Sequence, residues 1–216
     1  AVYVNLFLSN TSNLTVAGKK VALTQSTGYP YCGDINIKVD RNSCGQFDLK
    51  IRIPGWLKSR PLPGELYSYS DNKRLGYSIK VNGVEAEGTV TEDGYFTIPR
   101  KWKKGDEVTI HFDMEPRTVR ASEKVEADRG MVSIERGPIV YCAEWPDNKF
   151  DIKSVLINQN PEFTLEQRSL DAFIPEASKA KLNTYKTQNI TTLTTDAQTL
   201  AFDKQGKLTT QEVKLT

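Results

Sequence analysis

"YSIKVNGVEAEG", residues 77–88, alternates apolar and polar positions up to Asn82-Gly83 and carries on beyond it. A period of two puts Ile79 and Val81 on one face of a strand and Ser78 and Lys80 on the other. Asn and Gly both tolerate the positive φ of a two-residue type I′ turn, so the stretch predicts two tightly joined antiparallel strands. One such hairpin already argues for a sheet with a buried face and a wet face.

The same period recurs at short intervals in "KKVALTQ" (19–25), "INIKV" (35–39), "FDLKIRI" (47–53), "YFTI" (95–98) and "EVTIHFDM" (107–114). Turn residues separate the runs, with Lys104-Gly105-Asp106 a second turn candidate. Many short strands with turns between them predict an all-β chain, an antiparallel β-sandwich of jelly-roll-like type. The opening "AVYVNLFLSN" also alternates, Val2, Val4, Leu6 and Leu8 against Tyr3, Asn5 and Phe7. It starts without Met and reads as an excised piece.

No window of a dozen residues has apolar spacings of three and four, so long helices are not expected. The nearest is "PEASKAKLNTYK" (175–186), at most a short turn of helix. From about residue 150 the texture becomes Thr- and Gln-rich, with weak strands near 154–157, 162–167 and 199–203. We expect two packed sandwiches, the first over 1–118 and a second, incomplete one over 119–216. Within the second, "TQNITTLTTDAQT" (187–199) has a composition biased enough for mobility, although Thr favours strands.

Composition narrows the function classes. The 216 residues suffice for one large β domain or two small ones. Lys and Arg number 29 and Asp and Glu 27, so nothing points to nucleic acid. The longest apolar runs, such as "GPIVYCA", fall far short of the roughly 18 residues of a membrane span.

Three cysteines leave at least one unpaired. Cys32 and Cys44 flank an expected strand and lie at its opposite ends, too far apart for a disulfide. Cys142 lies in "RGPIVYCAEWPD" (136–147), two residues before Glu144. Pro138 suits a strand start, and the uniformly apolar 139–143 suggests a strand covered on both faces. Its nearest charged neighbours are acidic, whereas a reactive thiolate wants positive charge, so Cys142 is expected to be buried and inert.

The remaining polar candidates are weak. His111, the single histidine, alternates with Val108, Ile110 and Phe112 and so points to solvent. One histidine and scattered cysteines give no metal-ligand spacing, and no metal site is expected. Glycosidic chemistry uses two opposed carboxyl groups, but 27 acidic residues offer chance pairs among which sequence cannot choose. Asn10, Asn13 and Asn189 sit in N-x-S/T patterns, which matter only in a eukaryotic secretory protein. Tyr29, Tyr31, Trp56 and Trp102 lie near turns and are the carbohydrate-contact candidates, because flat rings beside polar groups form platforms for sugars. The competing reading makes them covers of the open ends of a sandwich core.

The punctuating motifs form an ordered set: Thr27-Gly-Tyr29-Pro30-Tyr31-Cys-Gly33, Arg52-Ile-Pro54-Gly55-Trp56, Val81-Asn82-Gly83, Gly94-Tyr95, Trp102-Lys-Lys-Gly105-Asp106 and Arg136-Gly137-Pro138-Ile-Val-Tyr141. In that order and spacing they resemble the C-terminal β-sandwich region of glycoside hydrolase family 127, the β-L-arabinofuranosidase type. The resemblance covers residues 1 to about 145, and Tyr31 stands where the family usually carries Trp. It implies a catalytic α/α barrel ahead of the sandwiches, holding a cysteine nucleophile, the acid/base residue and a zinc ion; none of that barrel is in this sequence. It also implies an aromatic closing segment beyond the last residue here. On this basis the expectation is a non-catalytic accessory region of a bacterial glycoside hydrolase, inactive alone and without a cofactor of its own. Its partners would be the barrel of the same parent chain and plant-type arabinose-containing glycans, in a periplasmic or secreted setting. The alternative is an autonomous carbohydrate-binding module, which requires the four rings to be exposed and roughly coplanar. An adhesion sandwich is a third reading, on fold analogy alone.

Overall fold

The hairpin forms as its sequence dictates. Asn82 and Gly83 have φ of 52° and 82°, and Val81 pairs with Val84 and Lys80 with Glu85 across the turn. The computed structural model describes residues 1–169 and 189–216. They divide into two units, Ala1–Val140 and Tyr141–Thr216.

The first unit begins with β1 (Val2–Val4), β2 (Asn10–Val16), β3 (Lys19–Thr27), β4 (Asp34–Asn42), β5 (Gln46–Arg52), β6 (Tyr67–Tyr69) and β7 (Tyr77–Val81). It continues with β8 (Val84–Glu85), β9 (Thr89–Val90), β10 (Tyr95–Lys101), β11 (Glu107–Phe112), β12 (Pro116–Ala121), β13 (Val132–Arg136) and β14 (Ile139–Tyr141). A six-stranded sheet runs β2-β3-β4-β11-β7-β8, and a four-stranded sheet runs β1-β5-β10-β9. Strand β1 joins β5 in parallel, whereas β10 joins β5 antiparallel.

Alternation in the sequence becomes layering in space. Ile35, Ile37 and Val39 of β4 and Val108, Ile110 and Phe112 of β11 point inward from the six-stranded sheet. They meet Leu49 and Ile51 of β5 and Ile98 of β10 in one buried cluster. Each such side chain contributes about 1.5–3 kcal/mol when fully buried, so this face-to-face contact is what holds the sandwich. The outward positions of the same strands, such as Lys38, Thr109 and His111, are polar.

The N-terminal segment departs from its expected phase. Val2 and Val4 are buried as anticipated, but the chain leaves the sheet after β1 and the pattern inverts. Phe7 is 3% exposed, and its ring meets Phe112 and Tyr29 edge-on at 5.3 and 5.4 Å; Leu6 and Leu8 turn outward. A phenyl ring buries more apolar area than a leucine, so Phe7 fills the gap.

A third sheet, β14-β13-β12-β6, completes the first unit. The expected boundary at 118/119 falls within β12, whose Val119 joins the buried cluster. The strand around Cys142 is shorter and barer than expected. β14 stops at Tyr141 on the edge of this sheet, Val140 is 60% exposed, and Cys142 is exposed. An edge strand that ends one residue earlier has no neighbour to cover its outer side, which corrects the expectation of a buried thiol.

In the second unit, β15 (Val155–Ile157), β16 (Thr164–Ser169) and β18 (Leu208–Leu215) all pair antiparallel with β17 (Asn189–Phe202). The Thr-rich stretch is therefore a strand over its described part. Thr191, Leu193, Thr195, Ala197 and Thr199 form its buried face. The candidate helical turn at 175–186 lies outside the described residues.

Candidate functional site

Three motif segments far apart in sequence meet at one end of the first unit. The turn after β3 is closed by Tyr31 and Cys32 N–H groups donating to the Gly28 carbonyl, at 3.0 and 3.3 Å. Thr27 braces it twice: its hydroxyl accepts from Tyr29 N–H at 2.9 Å and donates to the Asp34 carbonyl at 2.8 Å. Gly33 follows because nothing larger fits, since a Cβ there would lie 1.9 Å from the Phe112 carbonyl oxygen. Arg136 of β13 reaches this turn and donates to the Tyr31 carbonyl at 2.9 Å.

Trp56 arrives from the short 3₁₀ turn Gly55–Lys58, just past β5. Its ring meets Phe112 edge-on at 6.1 Å, and its buried indole N–H lies beside the Tyr29 hydroxyl without a well-directed hydrogen bond. Burial pushes the Tyr29 phenol up, and the Trp56 N–H and the Arg52 charge only partly offset it. Tyr29 is neutral at any physiological pH and offers a hydroxyl, not a base.

Beneath this end sits a buried cation. Arg117 of β12 is 4% exposed, pairs with Asp71 at 2.5 Å, and donates to the Trp56 carbonyl and the Ser59 hydroxyl, each at 3.3 Å. Its guanidinium lies 3.5 Å from the Tyr69 ring centroid. The Tyr69 hydroxyl in turn donates to Glu135 at 3.0 Å. Burial pushes Tyr69 up, helped by Glu135 and opposed by Arg117. At Asp71 burial acts upward, but Arg117 and the Lys73 N–H outweigh it and hold the carboxyl below its usual range. The network fixes the loop that presents Trp56 and leaves no free general acid or base in it.

Of the four ring candidates, two are core. Trp56 is 7% and Trp102 3% exposed. Trp102 sits at the opposite end of β5, its N–H groups donating to the Gly45 and Phe47 carbonyls at 3.1 and 3.0 Å. Tyr29 and Tyr31 are half-buried at the Trp56 end. With Trp56 and Trp102 covered, the four rings are not all exposed, as the binding-module reading requires. Sequence could not separate these cases, because strands distant in the chain decide which rings are covered.

His111 is solvent-facing as expected, and its ring is held by acidic partners: Nδ1 lies 2.6 Å from Asp34 and Nε2 3.4 Å from Asp113. His111 and Asp34, with Ser78, Lys80 and Thr109, line an open depression of about 400 Å³ on the polar face of the six-stranded sheet. Ser78 stands opposite His111 in register, but no side-chain hydrogen bond joins the two. A nucleophile–base pair is not built there.

Nor do these residues suit the zinc ion of the resembled family. Cys32, Cys44 and Cys142 are free, and among the described residues no three His, Cys, Asp or Glu side chains could hold a metal together. Cys142 Sγ lies 3.7 Å from Glu144 Oε1 in the second unit. No described helix is long and apolar enough to cross a membrane.

Comparison with known proteins places this geometry. The family model for the middle domain of the GH127 beta-L-arabinofuranosidases matches residues 1–114, and that for the glycoside hydrolase family 127 C-terminal domain matches residues 116–202. The chain is 30% identical over 151 residues to a non-reducing end beta-L-arabinofuranosidase of Bifidobacterium longum subsp. longum, an alignment covering 68% of this chain and 20% of that protein. A solved GH127 beta-arabinofuranosidase superposes with a TM-score of 0.85 at 51% identity, over 99% of this chain and 31% of the other. A GH127 beta-L-arabinofuranosidase from Geobacillus stearothermophilus shares the fold, with a TM-score of 0.73 at 24% identity over 99% of this chain and 30% of its own. The chain thus spans about a third of these solved chains and a fifth of the curated relative.

Proposed function

Because the chain belongs to glycoside hydrolase family 127, we propose that it is the non-catalytic β-sandwich region of a bacterial arabinofuranosidase-type enzyme, bracing the catalytic domain and completing a wall of its cleft. The observation that carries this reading is the convergence of the 27–33, 52–58 and 136 segments at one end, locked from below by Arg117. A rigid sandwich end that fixes loops without supplying an acid/base pair is suited to support and positioning. In this reading the zinc ion and the reacting cysteine belong to the preceding domain, the glycan is of arabinose-containing type, and the parent works in the periplasm or outside the cell.

The test is made in the full-length protein with a neutral aryl arabinofuranoside. Replacing Tyr31 by Ala should raise KM several-fold with a smaller change in kcat, because it trims a wall and not the reacting groups. An unchanged KM and kcat would show that this end of the sandwich does not face the cleft.

A further inference from the structure

We infer that the open edge of the first unit around Leu6 and Leu8 is the surface on which the domain preceding the middle domain docks; this rests on the reading above and names its contact face. The two sheets both end here, since β1 is the edge strand of one and β2 the edge strand of the other. The segment from Asn5 to Ser9 crosses between them and is pinned by Phe7, which is 3% exposed. The pin forces its neighbours outward: Leu6 is 68% and Leu8 56% exposed, with Tyr3 at 51% beside them. Two leucines held on either side of a buried ring, in a stretch whose other apolar residues are covered, form a contiguous apolar edge.

Behind them lies a groove of about 260 Å³, floored by Leu14, Leu23 and Ile37 and rimmed by Leu6. Gln25 reaches into it. Its amide nitrogen approaches the Leu6 carbonyl at 3.5 Å, and its Oε1 is buried with no donor. Edge strands and an apolar rim together fit a protein surface with apolar side chains. The occupant is the preceding domain because the matched family model is, by description, a middle domain. The solved relative at 51% identity has more than twice this length of chain to account for outside the match.

Hydrogen exchange followed by mass spectrometry, on this chain alone and on the full-length protein, tests the inference. Amides of residues 3–9 and 23–25 should exchange about tenfold or more slowly in the full-length protein. Equal rates in the two would overturn it, as would slow exchange in the chain alone that scales with its self-association, which would make a second copy the occupant. Leu6→Asp with Leu8→Asp should leave the melting midpoint of the chain alone within about 2 °C, because both side chains face solvent there. In the full-length protein the same pair should remove the protection. If exchange is equal but deletion of the sandwich region still abolishes activity, the docking face is wrong while the bracing role stands.

Discussion

Replacing Asp71 by Ala should destabilise the first unit more than an exposed carboxylate would suggest, because of what it leaves behind. Arg117 is 4% exposed and its partner side chain 43% exposed. Removing one member of a buried pair costs about 3–5 kcal/mol, since the remaining charge loses its counter-ion and gains no water. Water reaching Asp71 screens part of the attraction, so the expected loss is about 2–3 kcal/mol. For a body the size of Ala1–Val140 that corresponds to a fall in melting midpoint of roughly 6–9 °C. Trp56 and Trp102 are both buried in this unit and report its unfolding by intrinsic fluorescence. Adding Arg117→Met should recover at least about half of the loss, because Met packs on Tyr69 and leaves no buried charge. A double variant that melts below Asp71→Ala would show that the unpaired Arg117 charge is not the source of the loss.

Gly33→Ala should cost more than about 2 kcal/mol, because the new methyl would lie 1.9 Å from the Phe112 carbonyl oxygen and backbone must move; a urea midpoint equal to the parent's would contradict this. At Asp106 burial acts upward, but Asn82, the Lys103 N–H and Arg100 outweigh it and hold the carboxyl below its usual range. Its stabilisation is therefore complete above about pH 4 and is lost as pH falls through the lowered folded-state value. The stability gap between the parent chain and Asp106→Asn should narrow between pH 5 and pH 3, and a constant gap would count against the network. Cys142 should react first with a disulfide reagent, ahead of the half-buried Cys32 and Cys44, because it alone of the three is exposed. Cys142→Ser should remove that fast phase, and a fast phase that survives would assign the exposure to another thiol.

Strands with strict alternation were legible from sequence because their faces are set by neighbours two residues away. Residues 77–81 form a strand with those bounds, and Asn82-Gly83 the turn. The family landmarks were legible for a related reason, as turn residues tied to particular backbone shapes. What local pattern cannot fix is which residue claims a gap where the chain crosses between sheets. Leu6 and Leu8 continue the period of Val2 and Val4, yet Phe7 wins the interior against Phe112 and Tyr29, which come from far along the chain. The rings of Trp56 and Trp102 pose the same problem, since a tryptophan beside a turn is written alike whether it covers a core or faces solvent. Cys142 erred the other way. Its apolar neighbours suggested cover on both sides, but cover depends on a strand's place in its sheet, and β14 lies at an edge. Arg117 carried no local signal, because its partner is separated by 46 residues and meets it only through the pairing of β12 with β6.

The proposed supporting role, in which this region aids hydrolysis without performing it, has a direct test. Purified chain of residues 1–216, supplied with zinc, should release no arabinose from an aryl β-L-arabinofuranoside above the rate of buffer, while the full-length protein turns it over. Turnover by the chain alone, retained after every contaminating hydrolase has been excluded, would contradict it.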